Sequence, residues 1–116
     1  MVVNEPIELR FYAAAPDDAY VFTKAYQINL DGELLAGSIL AAGFHVNAGR
    51  RQYLRLTLSD GLLWNDATKV LTVNIQNSQL AFIRDDVELQ YEAFIMLDTK
   101  QTLTFREGTV SAVRVG

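Results

Sequence analysis
The chain has 116 residues, 50% of them hydrophobic, with 10 basic and 14 acidic side chains, a net charge of −4 and no cysteine. Such a length suits one domain, 1–116, with a single core of its own, and the hydrophobic content argues against disorder. The composition excludes disulfides, thiolate zinc sites and cysteine nucleophiles. It also makes nucleic acid or an anionic membrane a poor partner, because affinity for phosphate comes from lysine and arginine.

No apolar run reaches the roughly 18 residues that span a bilayer. The longest candidate, Leu34 to Phe44, is interrupted by Gly37, Ser38 and Gly43. The start, MVVNEPIELR, has no basic segment followed by an apolar one, so no secretion signal is expected.

Alternation with period two then dominates, which is the signature of half-buried strands. In IELRFY, Ile7, Leu9 and Phe11 share a face. AAAPDD is a loop broken by Pro16 and two aspartates. AYVFTKAYQINL reads as a strand, or as two with a bulge, and Asp31-Gly32 suits a tight hairpin. ELLAGSILAAGFHVNAG has spacing that a helix could use, but its internal glycines cost about 1 kcal/mol each in a helix. A strand with a bulge at Gly43 is predicted instead.

The stretch LRLTLSDGLLWNDATKVLTVNI is the clearest. Leu54, Leu56 and Leu58 point one way, and Tyr53, Arg55, Thr57 and Ser59 the other. Ser59-Asp60-Gly61 turns the chain, and Leu62 to Asn65 is a short strand or extended piece. A further turn at Asp66-Ala67-Thr68 leads to a strand with Leu71, Val73 and Ile75 inward. Asn77-Ser78 is positioned to cap one helical turn running to Phe82. In DDVELQYEAFIMLDT, Leu89, Tyr91, Ala93, Ile95 and Leu97 form one face. TLTFREG and TVSAVRV are predicted as two closing strands around Glu107-Gly108. The sum is all-β: an antiparallel β-sandwich or small barrel of seven to nine short strands.

Reactive chemistry is sparse. His45 is the only histidine, and it alternates with Phe44 and Val46, so it points outward from a strand with no indicated catalytic partner. The doublets Asp17-Asp18 and Asp85-Asp86 place neighbouring carboxylates on opposite sides of an extended chain, which favours solvated turns over a metal site. No glycine pattern cradles phosphate. Arg50-Arg51 beside Tyr53 reads as a solvated strand start. No cofactor, no metal and no enzyme activity are expected. Trp64, the only tryptophan, is expected to plug the core. A ligand-binding module would instead expose it, with Tyr53 and Arg55, as a platform for a carbohydrate or another small ligand.

Phe94 and Met96 are the interface candidates. They continue a face that begins polar with Glu88, Gln90 and Glu92. A strand that becomes apolar on both faces has a cover over that end. The cover is either another strand of the same chain or a neighbouring subunit.

The order DDAYVF, DGELLAG, YLRLTLSDGLLW, KVLTVNI, NSQLAFI, VELQYEAFIML and REGTVSAV spans nearly the whole chain. It resembles the small β-sandwich domains of tailed-bacteriophage virions, similar to the N-terminal domain of baseplate upper proteins and to tail-fibre attachment domains. The shared features are turn dipeptides and strand order, with no catalytic signature. The resemblance implies an immunoglobulin-like sandwich and a non-enzymatic virion structural protein of the tail or baseplate, from an active phage or a prophage. Such a protein would be made in the host cytoplasm and built into the virion, as a homo-oligomer and with other virion proteins. In the family the sandwich often precedes a fibre or receptor-binding region. This sequence stops at Gly116, which points to a stand-alone structural subunit and away from host recognition.

Overall fold
The computed structural model describes residues 2–30, 32–84 and 88–116. Asp31 of the expected hairpin and the doublet Asp85-Asp86 lie outside the described residues. The strands are β1 (Val3–Asn4), β2 (Ile7–Tyr12), β3 (Tyr20–Gln27), β4 (Asn29–Leu30), β5 (Glu33–Leu34), β6 (Ile39–Ala48), β7 (Arg51–Leu58), β8 (Gly61–Asn65), β9 (Val70–Gln76), β10 (Leu89–Leu97) and β11 (Thr102–Val115). A single 3-10 turn, Asn77–Leu80, separates β9 from β10. The class is all-β, as the periodicity predicts. Strand number exceeds the expected seven to nine because β1, β4 and β5 are two-residue pieces.

One ladder runs β1–β11–β10–β6–β7–β8–β9–β3, with β2 also on β11, and β4–β5 form a separate ribbon. The hydrogen bonding is that of one curled sheet. It folds over at the β7/β8 junction, where only Thr57 with Gly61 and Leu58 with Leu62 are paired. Ser59 sits there at a positive φ of 68°. The two limbs, β11–β10–β6–β7 and β8–β9–β3, then face each other. Phe22 of β3 meets Phe44 of β6 at 6.5 Å between ring centroids. Tyr26 of β3 meets Phe105 of β11 edge-on at 5.6 Å. The shortest extent of the molecule, 21 Å, fits two layers about 10 Å apart with side chains outside.

The core lies between the limbs. Leu56 of β7, Leu71, Val73 and Ile75 of β9, Phe44 and Val46 of β6, and Leu89, Tyr91, Ala93 and Ile95 of β10 are buried. These are the inward positions that alternation assigns. The segment after β9 closes one end of this core with Leu80, Ile83 and the half-buried Phe82.

Four local expectations change. The bulge in β6 is at Leu40, not Gly43: Met96 pairs with Ala41 and Leu97 with Ile39, so Leu40 is the extra residue. A second bulge removes Tyr53 from the alternation of β7, because Leu54 pairs with Val46 and Gln52 with Asn47. Gly108 does not turn the chain. β11 runs straight through it, pairing with β1 before it and with β2 after it. Glycine is needed there because a Cβ would lie 2.6 Å from the Glu5 carbonyl oxygen where the β1–β2 link crosses over. Finally, Asn77 does not cap the 3-10 turn. Its side chain accepts from the Tyr12 N–H at 2.9 Å and donates to the Tyr12 carbonyl at 2.7 Å. The Gln79 side chain serves the turn instead, accepting from the Gln76 N–H at 2.8 Å.

Candidate interaction surface
The outer face of the β11–β10–β6–β7 limb carries the sequence-predicted interface residues. Cross-strand register sorts it into rows. The first holds Thr109, Gln90, Asn47 and Gln52. The second holds Glu107, Glu92, His45 and Arg55. The third holds Thr104, Phe94, Gly43 and Thr57. In the last, Thr102, Met96 and Ala41 line up, with the bulged Leu40 beside them. The face therefore grades from amide to charged to apolar along the strands.

Phe94 and Met96 are both half-buried. Alternation puts them on the outer face, while Ala93, Ile95 and Leu97 go into the core. No strand of the described residues lies over them. Phe94 finds partial cover by lying across Gly43, where a Cβ would come 2.3 Å from its ring. Its ring also meets His45 edge-on at 5.1 Å. That explains glycine at 43: a flat seat for a ring rather than a bulge. Leu40 remains 54% exposed beside this apolar end.

The charged row is ordered by side. Glu92 and Glu107 are direct neighbours on β10 and β11, a like-charge pairing that destabilises a sheet. With Glu88 they line a cleft of about 610 Å³, together with Asn4, Asn47, Gly49, Gln90, Tyr91, Gly108 and Thr109. No basic side chain lines it. Across β6 stands Arg55 of β7, with Arg50 in the turn before that strand; Arg51 pairs with Ala48 and points to the other face. The ion pairs among the described residues are Arg10–Glu8, Lys24–Glu5, Lys69–Asp66 and Arg106–Glu5. None involves Glu88, Glu92, Glu107, Arg51 or Arg55. His45 sits between the two signs. Partial burial pushes its pKa below the ordinary value, Arg55 adds to this and Glu92 opposes it, so the ring is neutral at pH 7.

The other candidate platform does not come together. Trp64 packs half-buried against the core. Its Nε1–H donates to Asp66 Oδ1 at 3.2 Å. Asp66 also accepts from Lys69 Nζ at 3.0 Å, and these hydrogen bonds, Lys69 first, hold its carboxyl below the usual range. Lys69 Nζ donates in turn to the Gly37 carbonyl at 2.8 Å. Trp64 thus belongs to a clamp between the β8–β9 turn and the segment before β6. Tyr53, displaced by its bulge, stacks on Phe82 at 4.8 Å between centroids, with the Arg51 guanidinium 4.9 Å from its ring centre. Arg55 stays on the outer face beside His45. Period-two alternation would place Tyr53 with Arg55, and the bulge is what separates them.

Sequence reasoning missed the Glu92–Glu107 opposition and the ordering of charge across the limb. Both depend on which strands neighbour β10 and in what register, and a single-strand pattern carries no such signal. Among the described residues no group of three or more His, Asp or Glu side chains converges to hold a metal ion. Comparison of the chain with protein-family models and with curated proteins finds no match.

Proposed function
We propose that the chain is a non-enzymatic structural subunit of a tailed-phage virion, a tail or baseplate part that works by packing against other subunits. The observation that supports it is the outer face of β11–β10–β6–β7. One end carries the half-buried Phe94, Met96 and Ala41 with the exposed Leu40 beside them. The other holds three carboxylates in a cleft with no cation among its lining residues. Exposed apolar patches and uncompensated like charges are both costly in an isolated chain, and both are relieved by a neighbour of matching chemistry. On this reading the protein is made in the host cytoplasm and ends in the particle.

The test is the solution mass over a concentration series. A discrete oligomer, or binding to isolated tail particles, is expected. A monomer at every concentration, with no affinity for such particles, contradicts the reading.

A second reading has its own observation. On the opposite limb Tyr20 is 65% exposed and Leu63 58%, beside a shallow cleft of about 260 Å³ lined also by Asp60, Asn74, Gln76 and Gln79. An exposed ring among amide side chains is suited to stacking on a sugar. Glycan binding that is lost in Tyr20→Ala would favour this ligand module over the assembly part.

A further inference from the structure
We propose that two copies of the chain pair face to face through the outer surface of β11–β10–β6–β7, about a two-fold axis running along the strands between β10 and β6. The inference rests on the assembly reading above and adds to it the partner, the face and the axis.

A two-fold interface is self-complementary: each residue meets its counterpart across the axis. For two sheets packed face to face the axis can lie along the strands or across them. The strands of packed sheets stay nearly aligned, within about 30°, and either choice permits this. The chemistry of the rows separates them. An axis across the strands sets the acidic side of one copy against the acidic side of the other, because Glu92 and Glu107 stay on the same side, and it leaves both without a facing cation. Centred on the face, it also lays the apolar Met96 row over the amide row of Gln90 and Asn47, and the Phe94 row over the charged row of Glu92 and His45. An axis along the strands exchanges the two sides and keeps each row on itself. Glu107 of one copy then faces Arg55 of the second copy. Glu92 faces His45, and the bulky Met96 faces the small Ala41. Phe94, which already leans over Gly43, lies on the axis line, so the two rings meet there.

Charge and shape select the same axis independently. The acidic side carries Glu92 and Glu107, with Glu88 just before β10, and the basic side carries Arg55, while Arg51 pairs with Ala48 on the other face and lies over the Tyr53 ring. The second copy supplies what the lone chain lacks: the Arg55 guanidinium opposite Glu107 of the carboxylate-lined cleft and apolar cover for Phe94 and Met96.

The size of the face sets the strength. Four strands about 4.8 Å apart and seven residues rising about 3.4 Å each give it roughly 450 Å² in plan. A standard interface buries about 800 Å² of accessible surface on each partner. The dimer is therefore weak and dissociates on dilution.

The experiment uses charge reversal and mixing. Glu107→Arg and Arg55→Glu are made separately in the full chain, and light-scattering masses are measured for each and for an equimolar mixture. Within one chain the two positions lie three strand spacings apart, about 14 Å, beyond the roughly 10 Å Debye length at 0.1 M salt, so they hardly sense each other. Each single variant places Arg on Arg or Glu on Glu at both ends of the interface, and self-association is expected to weaken by about tenfold or more. The mixture restores opposite charges at both ends and is expected to regain the wild-type mass as a heterodimer. Where a reversal impairs folding, Glu107→Gln and Arg55→Gln replace it, with smaller losses in the same direction.

Singles that weaken without recovery on mixing overturn the pairing. An oligomer unaffected by either reversal overturns the face while leaving the assembly reading in place. A wild-type monomer at every concentration overturns both.

Discussion
The two limbs of the sheet share one kind of inner face and differ in their outer faces. Inward, β7 and β10 present Leu, Tyr, Ala and Ile to β9 and its Leu71, Val73 and Ile75, and nearly all of these are fully buried. Outward, the β8–β9–β3 limb shows Thr23, Ala25, Thr72, Asn74 and Gln76, uncharged and mostly polar, with Tyr20 and Leu63 as its exposed apolar groups. The β11–β10–β6–β7 limb instead shows sorted acid, sorted base and an apolar end. The inner faces answer to folding, which asks only for apolar residues of suitable volume at every second position. Nothing in folding asks for two glutamates side by side or for phenylalanine laid over glycine on an outer surface. That difference is the ground on which the β11–β10–β6–β7 limb is proposed above as the interface.

The inner faces should be equally sensitive. Leu56→Ala on one limb and Val73→Ala on the other should each cost roughly 2 to 4 kcal/mol, from lost burial and the cavity left behind, as read by urea unfolding. A near-neutral result at one site alone would mean that the limbs do not share a core.

The outer face should tolerate change except where it is packed. Gly43→Ala should cost about 1 to 3 kcal/mol by overpacking against Phe94. The cost should largely vanish in the background Phe94→Ala, because the ring is then gone. A double-mutant cycle on thermal unfolding reads this coupling. Additive effects would show that the ring does not occupy that seat.

The smallest effect is expected from His45. Its pKa is lowered in the folded chain, so on acidification the unfolded chain takes up the proton first. The contribution of His45 to stability is then flat above the ordinary value of 6.5, declines as pH falls below it, and levels off once the folded form is protonated as well. His45→Gln should flatten that segment of the profile relative to wild type. An unchanged slope between the two proteins would contradict the assignment.

The same contrast shows what was legible in the sequence. Period-two alternation identifies the strands and the inward set, because Leu56, Val73, Ile75 and Tyr91 must be apolar wherever their strands pair. It also places Phe94 and Met96 correctly on an outer face. It fails where the ladder breaks step. Nothing local distinguishes Tyr53, which a bulge turns onto Phe82, from Arg55, which stays on the face. Gly43 and Gly108 read as bulge and turn, but each is glycine because another part of the chain passes close by, the Phe94 ring in one case and the Glu5 carbonyl in the other. Asn77 reads as a cap, yet it ties β2 to the 3-10 turn from 65 residues away. Interstrand order decides all of these, and it decides the charge rows as well.

The central claim is that the molecule meets its partner through the outer face of β11–β10–β6–β7 and not through the other limb. Methyl NMR of the wild-type protein over a dilution series tests it most directly. Concentration-dependent shifts are predicted for Met96, Ala41, Thr102 and Thr104, with Leu63, Ala25 and Thr72 unmoved. Shifts confined to the second group, or none in the first while the mass changes, would contradict it.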